Sequence, residues 1–274
     1  MKLYFLLARR GAAARPSPLA NELSAILKRC GFQVEAGIAE DLLVRPDTVA
    51  VEHDLYLLKT PTELSLMVAG SLHDRGALML NPYGATALVQ DKIGTWRRLR
   101  AAGLPTPRSW ITGELSLLHS LLEERALVIK PHRGHREGEI RFLRSPRELT
   151  NVPRPRMAFI VQEFVEGTGQ DLKVYVVGDS VFAVHKPFSP TSYLSPGKPC
   201  QVSDEVRRIA LHCGRLFGLG LFGVDMIEST DGPVIVDVNS FPGYKGVPNA
   251  APLVAEYIMD YALGRLRLAL PAAG

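Results

Sequence analysis

The segment from Gly223 to Gly246 constrains this chain most. Two apolar-rich runs flank Ser229-Thr230-Asp231-Gly232, a turn-forming tetrapeptide, so the segment reads as an antiparallel hairpin. Asp225 closes one apolar run, and Asp237 and Asn239 sit two apart on the return run, which puts their side chains on one face. Pairing across the hairpin is expected to bring Asp225 alongside them. Asp and Asn are poor strand formers, so their presence here calls for a reason beyond folding. Two carboxylates and an amide oxygen make a hard, oxygen-only set of the kind that holds Mg²⁺ when phosphates complete the coordination.

The rest of the chain must supply what such a site needs. With 274 residues, 46% hydrophobic and 22% charged, it can bury a sizeable core and falls outside the disordered class. No apolar run approaches the roughly 20 residues of a membrane span. The opening Leu3 to Ala8 is short and followed at once by Arg9 and Arg10, which favours a first β-strand over a signal peptide. Cys30, Cys200 and Cys213 have no motif spacing and fit a reducing cytoplasm, with Cys30 and Cys213 expected in the core. The histidines lack zinc spacing. Net charge is +4, concentrated between Lys130 and Arg147. That segment suits an anionic small molecule or a solvated basic face. It also admits a nucleic-acid patch, but aromatics barely interleave there, so no nucleic-acid partner is expected.

Along the chain, strands and helices alternate up to about Tyr83, the rhythm of a small open α/β lobe. Ser17 caps a helix with Pro18 at its first position, and further strands are expected at Phe32 to Glu35, Val49 to Lys59 and Ala77 to Leu80, with a helix at Pro61 to Arg75. A helix from Thr86 to Ala102 ends at Gly103, Pro105 and Pro107. Leu127 to Lys130 is a strand entering the basic loop Pro131 to Gly138, and Glu139 to Leu143 returns. Leu172 to Val177 and Val181 to His185 read as a hairpin. Pro187 to Pro199 is a long loop and a candidate substrate lid. Ser203 caps a helix to Phe217, and a final helix covers Pro252 to Leu268.

Lys92 and Lys130 are each placed where an ammonium can meet a phosphate. Lys130 ends an apolar strand, where an unpaired charge is costly, so it calls for an anion. The loop after it can fold over phosphates with the amides of Gly134 and Gly138. The extended stretch Gln162, Glu163, Phe164 and Val165 can offer a backbone N–H and C=O to a purine edge, and Asp171 can reach ribose hydroxyls. In this order, the two lysines, the hinge and the Asp/Asp/Asn set resemble the ATP-grasp superfamily over nearly the whole chain. The resemblance implies an α/β (α+β) fold of three lobes, expected at residues 1–84, 85–165 and 166–274, with ATP between the central and C-terminal sheets. It also implies phosphate lysines at Lys92 and Lys130, and magnesium ligands at Asp225, Asp237 and Asn239 for one or two ions, Mn²⁺ being an alternative. Many members carry Glu where this chain has Asp237.

Within the superfamily two branches compete. Lys173 stands where RimK-type glutamate ligases usually carry Arg. His185-Lys186-Pro187, Ser203 to Val206, Leu221 to Asp225 and Asn239 to Tyr244 resemble the inositol polyphosphate kinases. The Arg-, Asn- and Gly-rich segment of RimK-type ligases is missing between Pro187 and Pro199. The expectation is therefore a small-molecule kinase transferring the γ-phosphoryl group to an anionic acceptor. The alternative is a RimK-like carboxylate–amine ligase acting through an acyl phosphate. Lys130, Lys173 and Lys186 are the expected catalytic cations, with Lys173 also touching the nucleotide. Arg133, His135, Arg136, Lys186, Gly243 and Lys245 are expected to face the acceptor. Partners are ATP and that acceptor, with no membrane and a cytoplasmic location; the sequence does not fix an oligomeric state.

Overall fold

The computed structural model describes residues 1–9, 17–59, 62–133, 140–152, 158–187 and 196–268. Three sheets are present among them. The first is parallel, in the order β2 (Gln33–Ile38), β1 (Lys2–Leu7), β3 (Leu55–Lys59), β4 (Met79–Leu80). α1 (Pro18–Arg29) and α2 (Glu63–Asp74) pack against it. The Ser17 side chain accepts from Ala20 N–H and Pro18 opens α1, so this N-terminus is set locally, an effect of about 1 kcal/mol. Cys30 caps the other end of α1 and is exposed rather than in the core, because the helix stops at that residue and turns it outward. Cys213 is buried as expected.

α3 (Tyr83–Gln90) and α4 (Lys92–Ala101) occupy the stretch expected as one helix. Asp91 divides them: extended at φ −89°, ψ 99°, it accepts from the N–H groups of Ile93 and Gly94 and caps α4. The second sheet is antiparallel, in the order β5 (Ser109–Thr112), β8 (Phe159–Glu163), β6 (Leu127–Pro131), β7 (Arg141–Leu143), with α5 (His119–Glu124) against it.

The third sheet is also antiparallel, in the order β11 (Lys198–Cys200), β10 (Ser180–Pro187), β9 (Gln170–Val177), β12 (Leu221–Ser229), β13 (Gly232–Ser240). α6 (Asp204–Phe217), capped by Ser203 and ended by left-handed Gly218, covers one face. α7 (Ala250–Ala262) lies against the other, beside α1. One core runs from Leu3 and Leu23 through Val254 to Val177 and Leu221, so the first and third sheets share their apolar interior. Ala85, Val89, Leu99 and Leu104 join the core beneath α6.

Candidate nucleotide and cation site

Three strands of the third sheet carry the site. β9, β12 and β13 align so that Lys173 faces Asp225 and Asp225 faces Asp237, a single row across the sheet. Lys173 Nζ lies 2.7 Å from Asp225 Oδ2. Asn239 is two residues beyond Asp237 and opposite Gly223. Gly223 leaves room beside the row: a Cβ there would meet Pro242 Cγ at 3.3 Å and the Val174 carbonyl at 3.4 Å. Among the described residues no group of three His, Cys, Asp or Glu side chains is gathered for a metal. The oxygen set is thus two carboxylates and an amide, which fits a hard divalent ion whose remaining ligands are phosphate oxygens.

β13 is gripped at three consecutive residues by β6 of the second sheet, by the first residue of α4 and by the loop after α4. The Ile235 N–H donates to the Pro105 carbonyl at 2.9 Å. Lys130 Nζ donates to the Val236 carbonyl at 2.9 Å, and Lys92 Nζ lies 3.2 Å from both Asp237 carboxylate oxygens. A β-bulge explains the middle contact. The register passes from Asp225↔Asp237 to Met226↔Ile235, so Val236 has no partner on β12 and its carbonyl is available to Lys130. Between these groups lies a narrow cleft lined by Lys92, Thr106, Lys130, Gln162, Val236 and Asp237, among others.

The cations differ in their surroundings. Burial pulls the Lys130 ammonium down to about 8, with Asp237 opposing and Lys92 adding to the fall. Burial also works against charge on Lys173, but Asp225 beside it, with Asp171 and Asp237, turns the net shift upward. Lys186 is lowered by burial and by the nearby Lys173 and Lys245. Asp171, paired in register with Lys186, is raised by burial, with Lys173 acting against the shift. Tyr175, next along the face from Lys173, is pushed to about 12 by burial and by Asp225.

The hinge is partly spoken for. Glu163 N–H donates to the Arg108 carbonyl and Phe164 N–H to the Ala126 carbonyl, both at 2.9 Å. Among the described residues, Val165 is the first of the stretch whose N–H is not given to a neighbouring segment. Gln162 is buried and its Nε2 donates to Ser109 Oγ, while the Glu163 carboxylate turns towards Arg108 and Arg125, 3.7 Å from each.

The expected acceptor residues are spread out. Lys186 is buried on the site side of β10; Gly243 and Lys245 are exposed beyond β13. Phe241 and Tyr244, in the stretch that resembles the kinases, are buried, because their side chains close the core shared with the first sheet. Arg133 lies 3.7 Å from Glu63 at the start of α2. His135, Arg136, Gly134 and Gly138 lie outside the described residues, as do positions 188–195 of the expected lid; Lys198 to Cys200 of that stretch form β11. Sequence reasoning missed Lys59, whose Nζ donates to the Phe241 and Pro242 carbonyls at 2.8 Å, and Asn81, whose side chain bonds Gly220 and Leu221. A lysine closing the apolar run Leu55 to Leu58 was the available signal for the first.

A fold of three sheets with lysines and carboxylates facing each other across a cleft defines an ATP-grasp protein. The RimK-like ATP-grasp domain profile matches residues 89–260, and the chain belongs to that family of ATP-dependent enzymes. A probable alpha-L-glutamate ligase 2 of Hahella chejuensis is 39% identical over 202 residues, 68% of this chain and 66% of the relative. A probable alpha-L-glutamate ligase of Shewanella loihica is 30% identical over 203 residues, 67% of each chain. The chain thus spans about two thirds of the length of these relatives. The crystal structure of a RimK domain ATP-grasp protein from Sphaerobacter thermophilus superposes with TM-score 0.78 at 19% identity, covering 96% of this chain and 100% of that one, which shows the fold.

These relatives overturn the expectation of a small-molecule kinase. The physical reason lies in the features that suggested it. Lys173 and Lys186 stand on the face that carries Asp225 and Asp237, and cations there would serve either reaction, so they do not discriminate. His185 lies on the α6 side of the sheet, paired with Glu228 at 2.8 Å, away from that face. No helix among the described residues is long and apolar enough to cross a membrane.

Proposed function

We propose that this ATP-grasp enzyme is a carboxylate–amine ligase. It activates a carboxylate with ATP as an acyl phosphate and joins it to an amine, releasing ADP and phosphate. The names of the relatives support this reading, and suggest glutamate or a similarly acidic amino acid as the amine. The observation that carries its ATP-dependent half is the in-register row Lys173–Asp225–Asp237 facing Lys92 and Lys130; the choice of ligase is carried by the relatives. Asp225, Asp237 and Asn239 would hold Mg²⁺ (one or two ions, or Mn²⁺), which when bound draws charge from the transferring phosphoryl group. Lys92, Lys130 and Lys173 offset the rest of that charge, and both Lys92 and Lys130 exchange a protein oxygen for a phosphate oxygen as the nucleotide enters. The purine takes the Val165 N–H and the backbone of Glu163 and Phe164, with Gln162 beneath it and Asp171 at the ribose. Lys186, Gly243 and Lys245, with Arg133, His135 and Arg136, serve the acidic substrate. We retain 1–84, 85–165 and 166–274 as the lobes, with α3 and α4 bridging the second to the third.

The test is the product balance. With ATP, Mg²⁺, glutamate and a set of carboxylate-bearing peptides, the reading expects ADP and free phosphate in equal amounts and a new amide by mass spectrometry. ADP formed with the phosphate retained on a product would break it.

A further inference from the structure

Lys59 ends β3, is only 5% exposed, and reaches from the first sheet to the residues just past β13. Its Nζ donates to two successive carbonyls, Phe241 and Pro242, and lies 4.8 Å from the centre of the Phe241 ring. Successive carbonyls of a strand point to opposite sides, so both meet one ammonium only because the chain turns here. Phe241 and Tyr244 hold left-handed backbone at φ 44° and 49°, which non-glycine residues keep only where their surroundings enforce it. The third sheet supplies part of that enforcement: Phe241 N–H donates to the Leu221 carbonyl and Tyr244 Oη to the Val176 carbonyl.

The turn bears directly on the cation set. Asn239 faces Gly223, so no side chain across the strand pair braces it. The Pro242 ring fills that place instead, in contact range of any Cβ at Gly223, and the Pro242 carbonyl is one of the two that Lys59 holds. We propose that Lys59 is a positioning residue that sets Asn239 for the divalent cation by fixing Pro242 over Gly223. This rests on Asp225, Asp237 and Asn239 being the cation set. It gives the first sheet, which offers no ligand of its own, control over metal affinity.

The test is calorimetric titration of the full chain with ADP, in EDTA and in Mg²⁺. For wild type, Mg²⁺ should tighten ADP binding. Lys59→Met should reduce that metal-dependent gain roughly tenfold or more, the usual scale for groups that orient metal ligands, with affinity in EDTA unchanged. Lys59→Arg, which keeps two donors, should recover most of the gain. If Lys59→Met does not fold, Lys59→Gln, which keeps one donor, should show the same loss to a smaller degree. An unchanged gain, or equal loss in EDTA and Mg²⁺, overturns the proposal. A wild type whose ADP affinity ignores Mg²⁺ would break the cation-set reading instead.

Discussion

The two faces of the third sheet are made by the same strands and behave oppositely. On the α6 side, Leu172, Val174, Val176, Val224, Met226 and Val238 are all buried in one apolar core. On the other, the face starts apolar at Val177 and Leu221, against α1 and α7, then changes within four residues to Lys173, Asp225 and Asp237. The first face needs only volume and hydrophobicity. The second spends strand positions on charges that must find partners, and finds them in Lys173 on its own sheet and Lys92 on the facing lobe. A face that retains such a cost has been shaped by binding rather than by stability.

The contrast can be broken at either face. Asp237→Ala should abolish ATP-dependent turnover, a loss of about 10³-fold or more, while the melting temperature stays near wild type; near-normal turnover with Mg²⁺ would remove the row from the mechanism. Val224→Asp, at the matching depth on the α6 face, should leave an unpaired carboxylate in the core and cost about 3 kcal/mol or more in denaturant unfolding.

A smaller effect separates Lys173, in the row, from Lys130, which faces it. Lys130 is lowered to about 8 and binds an anion only when protonated, so ADP affinity should fall about tenfold from pH 7 to pH 9, and Lys130→Arg should flatten that profile. Lys173, raised by its carboxylate partner, should add nothing in that window. The sign for stability is opposite. Since Lys130 titrates lower in the fold than its ordinary 10.5, its contribution to the ligand-free protein is fully present above 10.5 and is lost as pH falls towards 8. The smallest effect belongs to the α6 side again: His185→Ala breaks a half-exposed pair with Glu228 and should cost under about 1 kcal/mol by thermal melting, without changing turnover.

Much of the site was legible because its strands alternate. Asp237 and Asn239 could be placed on one face, but counting back from the turn at Ser229 to Gly232 sets Asp225 opposite Val236, and only a bulge brings it opposite Asp237. The bulge at Val236 was not legible. Strict alternation would separate Ile235 from Val238, yet both are buried beneath α6, three residues apart. The break at Asp91 was missed because an Asp inside an apolar-periodic run reads as a polar face position until its carboxylate is seen capping α4. Lys59, Asn81 and Thr106 were missed because each acquires meaning only from residues more than 100 positions away, or from the cleft it lines.

By itself, then, the sequence determined which neighbouring residues of a strand share a face, since period-two alternation fixes side over short stretches, while the bulge decided which residue of β13 meets Asp225. The tertiary structure decided what those residues meet: which carbonyl Lys130 takes, which carboxylate each lysine holds, and that a lysine of the first sheet anchors the end of β13. Those contacts join segments whose spacing along the chain carries no periodic signal, and only packing brings them together.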